Sequence, residues 1–212
     1  MTYADVVTAV AESHARVESA VADLTDQRAR EASLLPGWSR GHVITHIARN
    51  ADALNRFAIG VLTGVPGEMY PGGPDARNAA IEEGAGRPAS LLAADLHFAS
   101  SRAVDTLRNI TEDLLDTPIR WRKPITARDL PVLRWRELEI HHVDLAVGYA
   151  PISWPDPFVE ETLETELPAL AEFAPGVDVP DLPDAELLAW LVGRPTRDGL
   201  PELPSWPFQP SA

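Results

Sequence analysis

The stretch RWRELEIHHVDLAVGY, which runs from Arg134 to Tyr149, places two candidate metal ligands, Glu137 and His141, four residues apart. On an α-helix that spacing puts both side chains on one face, one turn apart, so both can reach the same point. A third ligand from another helix would leave a tetrahedral ion one open position, which is typical of a catalytic zinc site. Asp144 follows on the same side and is a candidate to orient the His141 imidazole.

A second helical segment offers the third ligand. In GHVITHIARN, the side chains of His42, His46 and Asn50 follow one another at four-residue steps and form a polar stripe beside the apolar one. Helical bundles build metal sites from such inward-facing polar positions on facing helices. His46 is therefore the candidate that completes a site with Glu137 and His141.

The residue pattern leaves other arrangements open. His42 and His46 are themselves a four-residue pair and could ligate an ion with His141 in place of Glu137. A single histidine in a helix is more often a surface or hydrogen-bonded core residue, and a Glu/His pair can lie on a solvated face. The helix that carries Glu137 has a charged side, made up of Arg134, Arg136 and Glu139.

Four long segments with apolar residues at helical spacing predict an all-α four-helix bundle. They cover about residues 3–28, 39–64, 88–110 and 131–148. The second and third are joined by the Pro- and Gly-rich connection PGEMYPGGP, which is expected to run over the surface. A short helix follows it, with Asp75 as its expected cap and Gly84 as its end.

Beyond Ala150 the composition changes and proline becomes dense. Two shorter helices are predicted there, around residues 158–173 and 184–192, and the tail from residue 199 to 212 resembles an extended strap. The expected organisation is a four-helix domain over residues 1–150 and a small, mostly helical C-terminal cap over residues 151–212.

Composition excludes several function classes. The net charge of the 212-residue chain is −14, so nucleic acid and anionic membrane surfaces are poor partners. There is no cysteine, so disulfides and thiolate metal sites are excluded, and a thiol used in catalysis must come from outside. No signal peptide or membrane-spanning segment is evident, and a cytoplasmic location is expected.

Two arginines are candidates for binding an anion. Arg77, in PDARNAA, lies at the start of the short helix, and Arg194, in LVGRPT, follows the end of a later one. A guanidinium can hold a carboxylate through two parallel hydrogen bonds. The alternatives are an ordinary surface arginine for Arg77 and a favourable contact with the helix dipole for Arg194.

Several of these segments together resemble one family. LLPGWSRGHVITHIARNADAL, PDARNAAI, RWRELEIHHVDLAVGY and the LVGRP and LPSWP motifs occur here in the order found in the mycothiol-dependent maleylpyruvate isomerase family, which belongs to the DinB-like metal-binding four-helix superfamily. The resemblance covers nearly the whole chain. It departs at GVDVPDLPD, which is too short for the strands that family members carry in their C-terminal subdomain.

The resemblance implies a ligand set and two further functional residues. It aligns the family's metal ligands with His46, Glu137 and His141, and the ion is expected to be divalent, with zinc favoured by two nitrogens and one carboxylate. It aligns the arginines implicated in activity, or in binding the anionic substrate and the thiol, with Arg77 and Arg194. The implied cofactor is mycothiol, a low-molecular-weight thiol.

The implied function is isomerisation of a small anionic substrate with a conjugated cis double bond. A zinc-activated thiol would add to the alkene, the former double bond would rotate, and elimination would restore it as trans. A mycothiol S-transferase that conjugates an electrophile, a hydrolase that uses zinc-bound water, and a non-catalytic metal-binding bundle protein are the alternatives.

Overall fold

The computed structural model describes residues 1–121 and 124–206, and in these residues the chain forms eight α-helices and one short antiparallel strand pair. The helices are α1 (Tyr3–Ala22), α2 (Asp26–Arg30), α3 (Arg40–Thr63), α4 (Gly73–Ala85), α5 (Ala89–Arg108), α6 (Leu130–Asp144), α7 (Asp156–Phe173) and α8 (Asp184–Leu191). The strands are β1 (Pro118–Ile119) and β2 (Ile125–Thr126).

The four long helices α1, α3, α5 and α6 pack together as a bundle. Helix α3 packs along α5 and contacts α6, while α1 packs against both α5 and α6. Their apolar faces form a core that includes Leu54, Phe57, Leu107 and Leu130, each of which is at most 3% exposed. This architecture confirms the predicted all-α four-helix bundle.

The first helix is shorter than its apolar pattern predicts. It ends at Ala22 rather than near Arg28. Thr25 adopts an extended conformation and its side chain accepts a hydrogen bond from the Arg28 backbone N–H, which begins the separate helix α2. The cap, rather than the hydrophobic periodicity, determines where the segment divides.

The last bundle helix also ends early, at Asp144 rather than at Gly148. The Arg40 side chain donates hydrogen bonds to the backbone oxygens of Leu145 and Ala146, at 2.8 and 3.3 Å. Ala146 has a φ of 53°, in the left-handed region where an α-helix cannot continue. An arginine from α3 therefore binds carbonyl groups at the end of α6 that the helix itself leaves without partners.

The short helix α4 starts earlier than expected. It begins at Gly73, preceded by Gly72 with a φ of 84°, so Asp75 lies within the first turn and is not the cap. Nor does Gly84 end the helix, which continues to Ala85.

Two glycines let α3 and α4 approach closely. A Cβ atom on Gly41 would lie 2.3 Å from the Ala85 backbone oxygen, and one on Gly84 would lie 2.4 Å from Thr45 Cγ2. Real Cβ atoms do not make such contacts, so each position accepts only glycine without a shift of the two helices. The close approach holds α4 against the part of α3 that carries His46.

Replacing Gly84 with alanine is expected to destabilise the protein by about 1–3 kcal/mol, because the added methyl group overlaps the buried Thr45 side chain. Urea unfolding at a constant m-value measures this loss. Gly86→Ala is the matched control, since a Cβ there meets nothing within 4 Å and the φ of −83° is unstrained. Equal stability of the two variants would contradict the close-packing argument.

The chain divides into two compact units, residues 1–147 and 148–212. The first contains α1–α6 and the strand pair. The described part of the second, residues 148–206, contains α7 and α8 and no strand. Residues 199–206 of the predicted strap form neither helix nor strand, and its residues 207–212 lie outside the described residues. Among the described helices, none combines the length and apolar character needed to cross a lipid bilayer.

Candidate metal centre

Three side chains from two bundle helices meet at one point in the first unit. His46 Nε2 lies 3.0 Å from Glu137 Oε2 and 3.0 Å from His141 Nε2, and the latter two atoms are 3.6 Å apart. Within residues 1–121 and 124–206, this is the one group of three or more histidines and carboxylates whose ligand atoms all lie within 4.8 Å.

The separations of these atoms suit a tetrahedral ion. Ligands at about 2.0–2.1 Å from zinc lie about 3.3 Å from one another. The observed separations of 3.0 to 3.6 Å bracket that value. Two imidazole nitrogens and one carboxylate oxygen are a zinc-type donor set that leaves a fourth position for another ligand. The cluster is therefore a candidate metal-binding site.

Local structure places each of the three side chains. Ser39 starts α3 with a capping box that includes His42, and this sets the phase of the helix so that His46 faces the bundle interior. Glu137 and His141 lie one turn apart on α6, which packs against α3. The indole of Trp38 contacts His46 edge-on, with ring centroids 5.7 Å apart.

Asp144 fixes the orientation of His141. Its Oδ2 lies 2.7 Å from His141 Nδ1, so Nδ1 carries the proton and Nε2 presents its lone pair to the cluster. Asp144 is 1% exposed, and its backbone oxygen accepts a hydrogen bond from the Leu34 N–H. The loop before α3 thereby contacts both histidine-bearing helices.

Electrostatics favours the ligand-competent protonation states. Burial, followed by the charge on His141, lowers the pKa of His46 to about 4, so this imidazole is neutral at pH 7. Burial acts to raise the pKa of Glu137, but hydrogen bonding to His46 and the charges of His46, His141 and Arg134 lower it to about 2. A neutral imidazole and an ionised carboxylate are the forms that bind divalent ions.

Arg77 contacts the cluster from α4. Its Nη2 lies 3.1 Å from His46 Nδ1, and its Nη1 donates to the Asn78 side chain at 3.0 Å. Because a guanidinium only donates, His46 Nδ1 accepts and the ring proton lies on Nε2, where it is donated to Glu137. A neutral imidazole that bound an ion through Nε2 would carry this proton on Nδ1 instead, so Arg77 would give up its contact with His46.

The charged side of α6 buries two of its residues, Arg134 and Glu139. These side chains are 0% and 1% exposed. Arg134 donates to the Ile47 backbone oxygen at 2.9 Å and to Asn50 Oδ1 at 2.8 Å, and Arg16 pairs with Glu139 at 2.6 Å. Burial lowers the pKa of Arg134 to about 10, which still leaves it charged at pH 7.

The other histidines have different surroundings. His42 Nδ1 lies 2.7 Å from the Ser39 hydroxyl, and His42 Nε2 lies 3.4 Å from Glu82, outside the cluster. His14 is buried and accepts a hydrogen bond from Arg134 at 3.3 Å. His97 is exposed and pairs with Glu18 at 3.0 Å. The alternative in which His42 replaces Glu137 finds no support in these contacts.

Arg194 belongs to the second unit and follows α8. Its Nη1 donates to the Val192 backbone oxygen at 2.6 Å, and its backbone N–H donates to Ala189 O at 2.7 Å. These contacts hold the chain at the end of α8, and the proposed role of Arg194 toward an anion stays a prediction.

Two residues beside the cluster were not predicted as functional. Tyr70 lies in the PGEMYPGGP connection, and Arg77 lies 5.6 Å from its ring centroid. Asn50 ends the predicted polar stripe, but its partner Arg134 is predicted only as part of the charged side of its helix. The four-residue spacing of His42, His46 and Asn50 is the one sequence signal that Asn50 lies near the cluster. No sequence pattern indicates this for Tyr70.

Acidification is expected to destabilise the metal-free protein. Burial lowers the pKa of His142 and that of His46 from 6.5 to about 4, and that of His14 well below 6.5. The unfolded chain therefore binds these protons first, so stability is fully present above pH 6.5 and is lost as the pH falls toward 4. For His142 alone the loss is about 3 kcal/mol.

Urea unfolding at steps between pH 7.5 and pH 4.5 measures this slope. The range stays above the separate loss expected from Glu137, whose pKa falls from 4.5 to about 2 on folding. His142→Gln is expected to reduce the slope, because His14 and His46 still contribute, whereas a substitution at the exposed His97 is expected to leave it unchanged. An equal slope in all three proteins would contradict the assignment.

Comparison with known proteins places this geometry in context. The fold is similar to the crystal structure of the mycothiol-dependent maleylpyruvate isomerase, with a TM-score of 0.84, 24% identity, and coverage of 97% of this chain and 100% of that chain. The crystal structure of a histidine-to-alanine mutant of that enzyme matches with a TM-score of 0.84, 23% identity and the same coverage of both chains. At these identities the likeness establishes the fold.

No curated protein sequence gives a significant match. A family model described as the mycothiol maleylpyruvate isomerase N-terminal domain matches residues 10–146, which is most of the bundle unit and more than half of the chain. The match confirms both the family that the sequence motifs resemble and the expectation of an enzyme. The chain therefore belongs to the mycothiol maleylpyruvate isomerase family.

Proposed function

We propose that the protein is a mycothiol-dependent isomerase that converts a small anionic substrate of the maleylpyruvate type from cis to trans. The observation that carries the proposal is the cluster of His46, Glu137 and His141, with the Arg77 guanidinium in contact with it. Membership of a family described by mycothiol and maleylpyruvate supplies the thiol and the substrate class.

His46, Glu137 and His141 would hold a divalent ion, and we assign it as zinc because of the donor set. An ion held there would lower the pKa of a thiol whose sulfur coordinates it, which would supply a thiolate at neutral pH. The thiol supplies reversible addition to the conjugated double bond, so that the bond can rotate before elimination restores it. The chain needs no cysteine of its own for this chemistry.

The protein residues would bind and orient the reactants. Arg77 would bind a substrate carboxylate beside the cluster, since its guanidinium is already held next to His46. Arg194 in the second unit would bind a second anionic group of the substrate or of the thiol. Asp144 keeps His141 in the tautomer that ligates through Nε2.

Local charge supports an anionic substrate although the whole chain is acidic. Around the cluster, the cations Arg77 and Arg134 balance the carboxylates Glu137 and Asp144. A divalent ion would then make the site positive within a chain of net charge −14. A positive site in an acidic protein concentrates small anions there and not along the rest of the surface.

The test is to incubate the zinc-loaded protein with maleylpyruvate in the presence and absence of mycothiol. Formation of fumarylpyruvate that requires the thiol, with the thiol recovered unchanged, is the expected result. Thiol consumed in proportion to product would replace the isomerase with an S-transferase. A metal-loaded protein that neither isomerises the substrate nor modifies the thiol would contradict the proposal and favour a passive metal-binding protein.

A further inference from the structure

Tyr70 is held beside the metal cluster by backbone contacts in the connection between α3 and α4. A Cβ atom on Gly67 would lie 2.4 Å from the Arg56 backbone oxygen, so this connection packs directly on α3. The Arg56 side chain also donates to the Met69 backbone oxygen at 3.1 Å. These contacts fix the backbone of the connection next to Tyr70. The Tyr70 side chain is half-buried.

The Tyr70 phenol lies beside Arg77 and near the bundle core. The buried Arg134 donates to Asn50 Oδ1 at 2.8 Å, which leaves the Asn50 amide N–H groups to donate. The Arg77 guanidinium carbon lies 5.6 Å from the Tyr70 ring centroid, and Arg77 and Asn50 both act to lower the pKa of the phenol. The phenol is thus placed next to the guanidinium that contacts His46.

The Tyr70 proton is left available. The Arg77 side chain donates to Asn78 and lies 3.1 Å from His46 Nδ1, and among the residues that the structure describes, none accepts a hydrogen bond from the Tyr70 O–H. Burial, followed by the negative charge of Glu137, raises the pKa of Tyr70 above its ordinary value of 10.0. The side chain is therefore a neutral phenol at pH 7, able to donate one hydrogen bond to a molecule beside the cluster.

The proposed isomerisation creates a need for such a donor. As the new carbon–sulfur bond forms, the electron pair of the double bond shifts, and the carbonyl oxygen conjugated to it gains negative charge. When the carbon–sulfur bond breaks, the pair returns and remakes the double bond, so no proton or electron is gained or lost overall. A fixed donor at that oxygen stabilises the charged stage more than the ground state.

We propose that the Tyr70 hydroxyl donates a hydrogen bond to the substrate carbonyl oxygen that gains this charge. The inference rests on the proposed isomerase function and adds a residue to it. Arg77 then has a second role, because its guanidinium packs against the Tyr70 ring. The substrate is accordingly expected to carry a ketone conjugated to its double bond, and not only carboxylates.

The test compares the zinc-loaded wild type with Tyr70→Phe, which removes only the hydroxyl group. With maleylpyruvate and mycothiol, kcat is expected to fall about 100-fold while KM changes by less than about threefold, as for loss of one preorganised donor. Competitive inhibition by maleate, a dicarboxylate without the ketone, is expected to be unchanged. Tyr3→Phe is the matched control, since that hydroxyl donates to the Leu107 backbone oxygen at 3.0 Å.

The outcomes separate this inference from the function on which it rests. A wild type that does not isomerise maleylpyruvate overturns both. An active wild type with a Tyr70→Phe variant within about threefold of its kcat overturns only the role of Tyr70. Weaker maleate inhibition, or loss of bound zinc from the Tyr70→Phe variant, overturns it as well, because Tyr70 would then act on substrate carboxylates or on the metal cluster.

Discussion

A His46→Ala variant is expected to lose the divalent ion. His46 is the one residue that α3 contributes to the cluster, and its Nε2 lies 3.0 Å from an atom of each of the other two residues. Loss of a residue that merely orients a ligand weakens metal binding about 10–100-fold, so loss of a ligand itself is expected to exceed about 100-fold. Elemental analysis after dialysis is expected to change from about one metal per chain to almost none, and isomerase activity is expected to fall to background.

His42→Ala is the informative control for this experiment. His42 lies on the same helix one turn earlier, but its ring nitrogens face Ser39 and Glu82. Its replacement is expected to leave the metal content unchanged, with a modest loss of stability from the helix cap. Metal retained in His46→Ala but lost in His42→Ala would show that the ligand set is wrong.

The spacing of residues in the sequence predicts the pairing of Glu137 with His141, and the family resemblance favours His46 as their partner over the set that includes His42. A glutamate and a histidine four residues apart on a helix must share a face whatever surrounds that helix. His46 could be assigned because it lay on a polar stripe within an otherwise apolar helix. The structure brings Glu137 and His141 together with His46, and whether they bind metal stays a prediction.

The surroundings of the cluster could not be predicted because they depend on contacts between distant segments. Arg134 had the sequence signature of a solvated residue, and only the Ile47 carbonyl and Asn50 side chain on another helix allow its burial. Tyr70 lies in an irregular connection, where no period relates a residue to the core. The end of α6 depends on Arg40, about one hundred residues earlier in the chain.

Replacing Arg77 with alanine is expected to separate substrate binding from metal binding. Arg77 acts to lower the pKa of His46 and would repel a cation, so its removal is expected to leave metal affinity equal or slightly higher. The catalytic efficiency, kcat/KM for maleylpyruvate, is expected to fall about 100-fold, because a charge-assisted pair with the substrate carboxylate is lost. Metal titration and steady-state kinetics on the same preparation measure both effects.

Two further variants make the Arg77 prediction specific. Arg77→Lys is expected to recover only about tenfold, since a point charge on a flexible stem cannot contact Asn78 and hold a carboxylate through two parallel hydrogen bonds at the same time. Arg87→Ala, at a surface arginine that pairs with Asp95 at 3.3 Å, is expected to keep full activity. If Arg77→Ala lost the metal together with activity, Arg77 would be supporting the cluster rather than binding the substrate. If it kept both, the residue would be an ordinary surface arginine whose contact with His46 has no catalytic consequence.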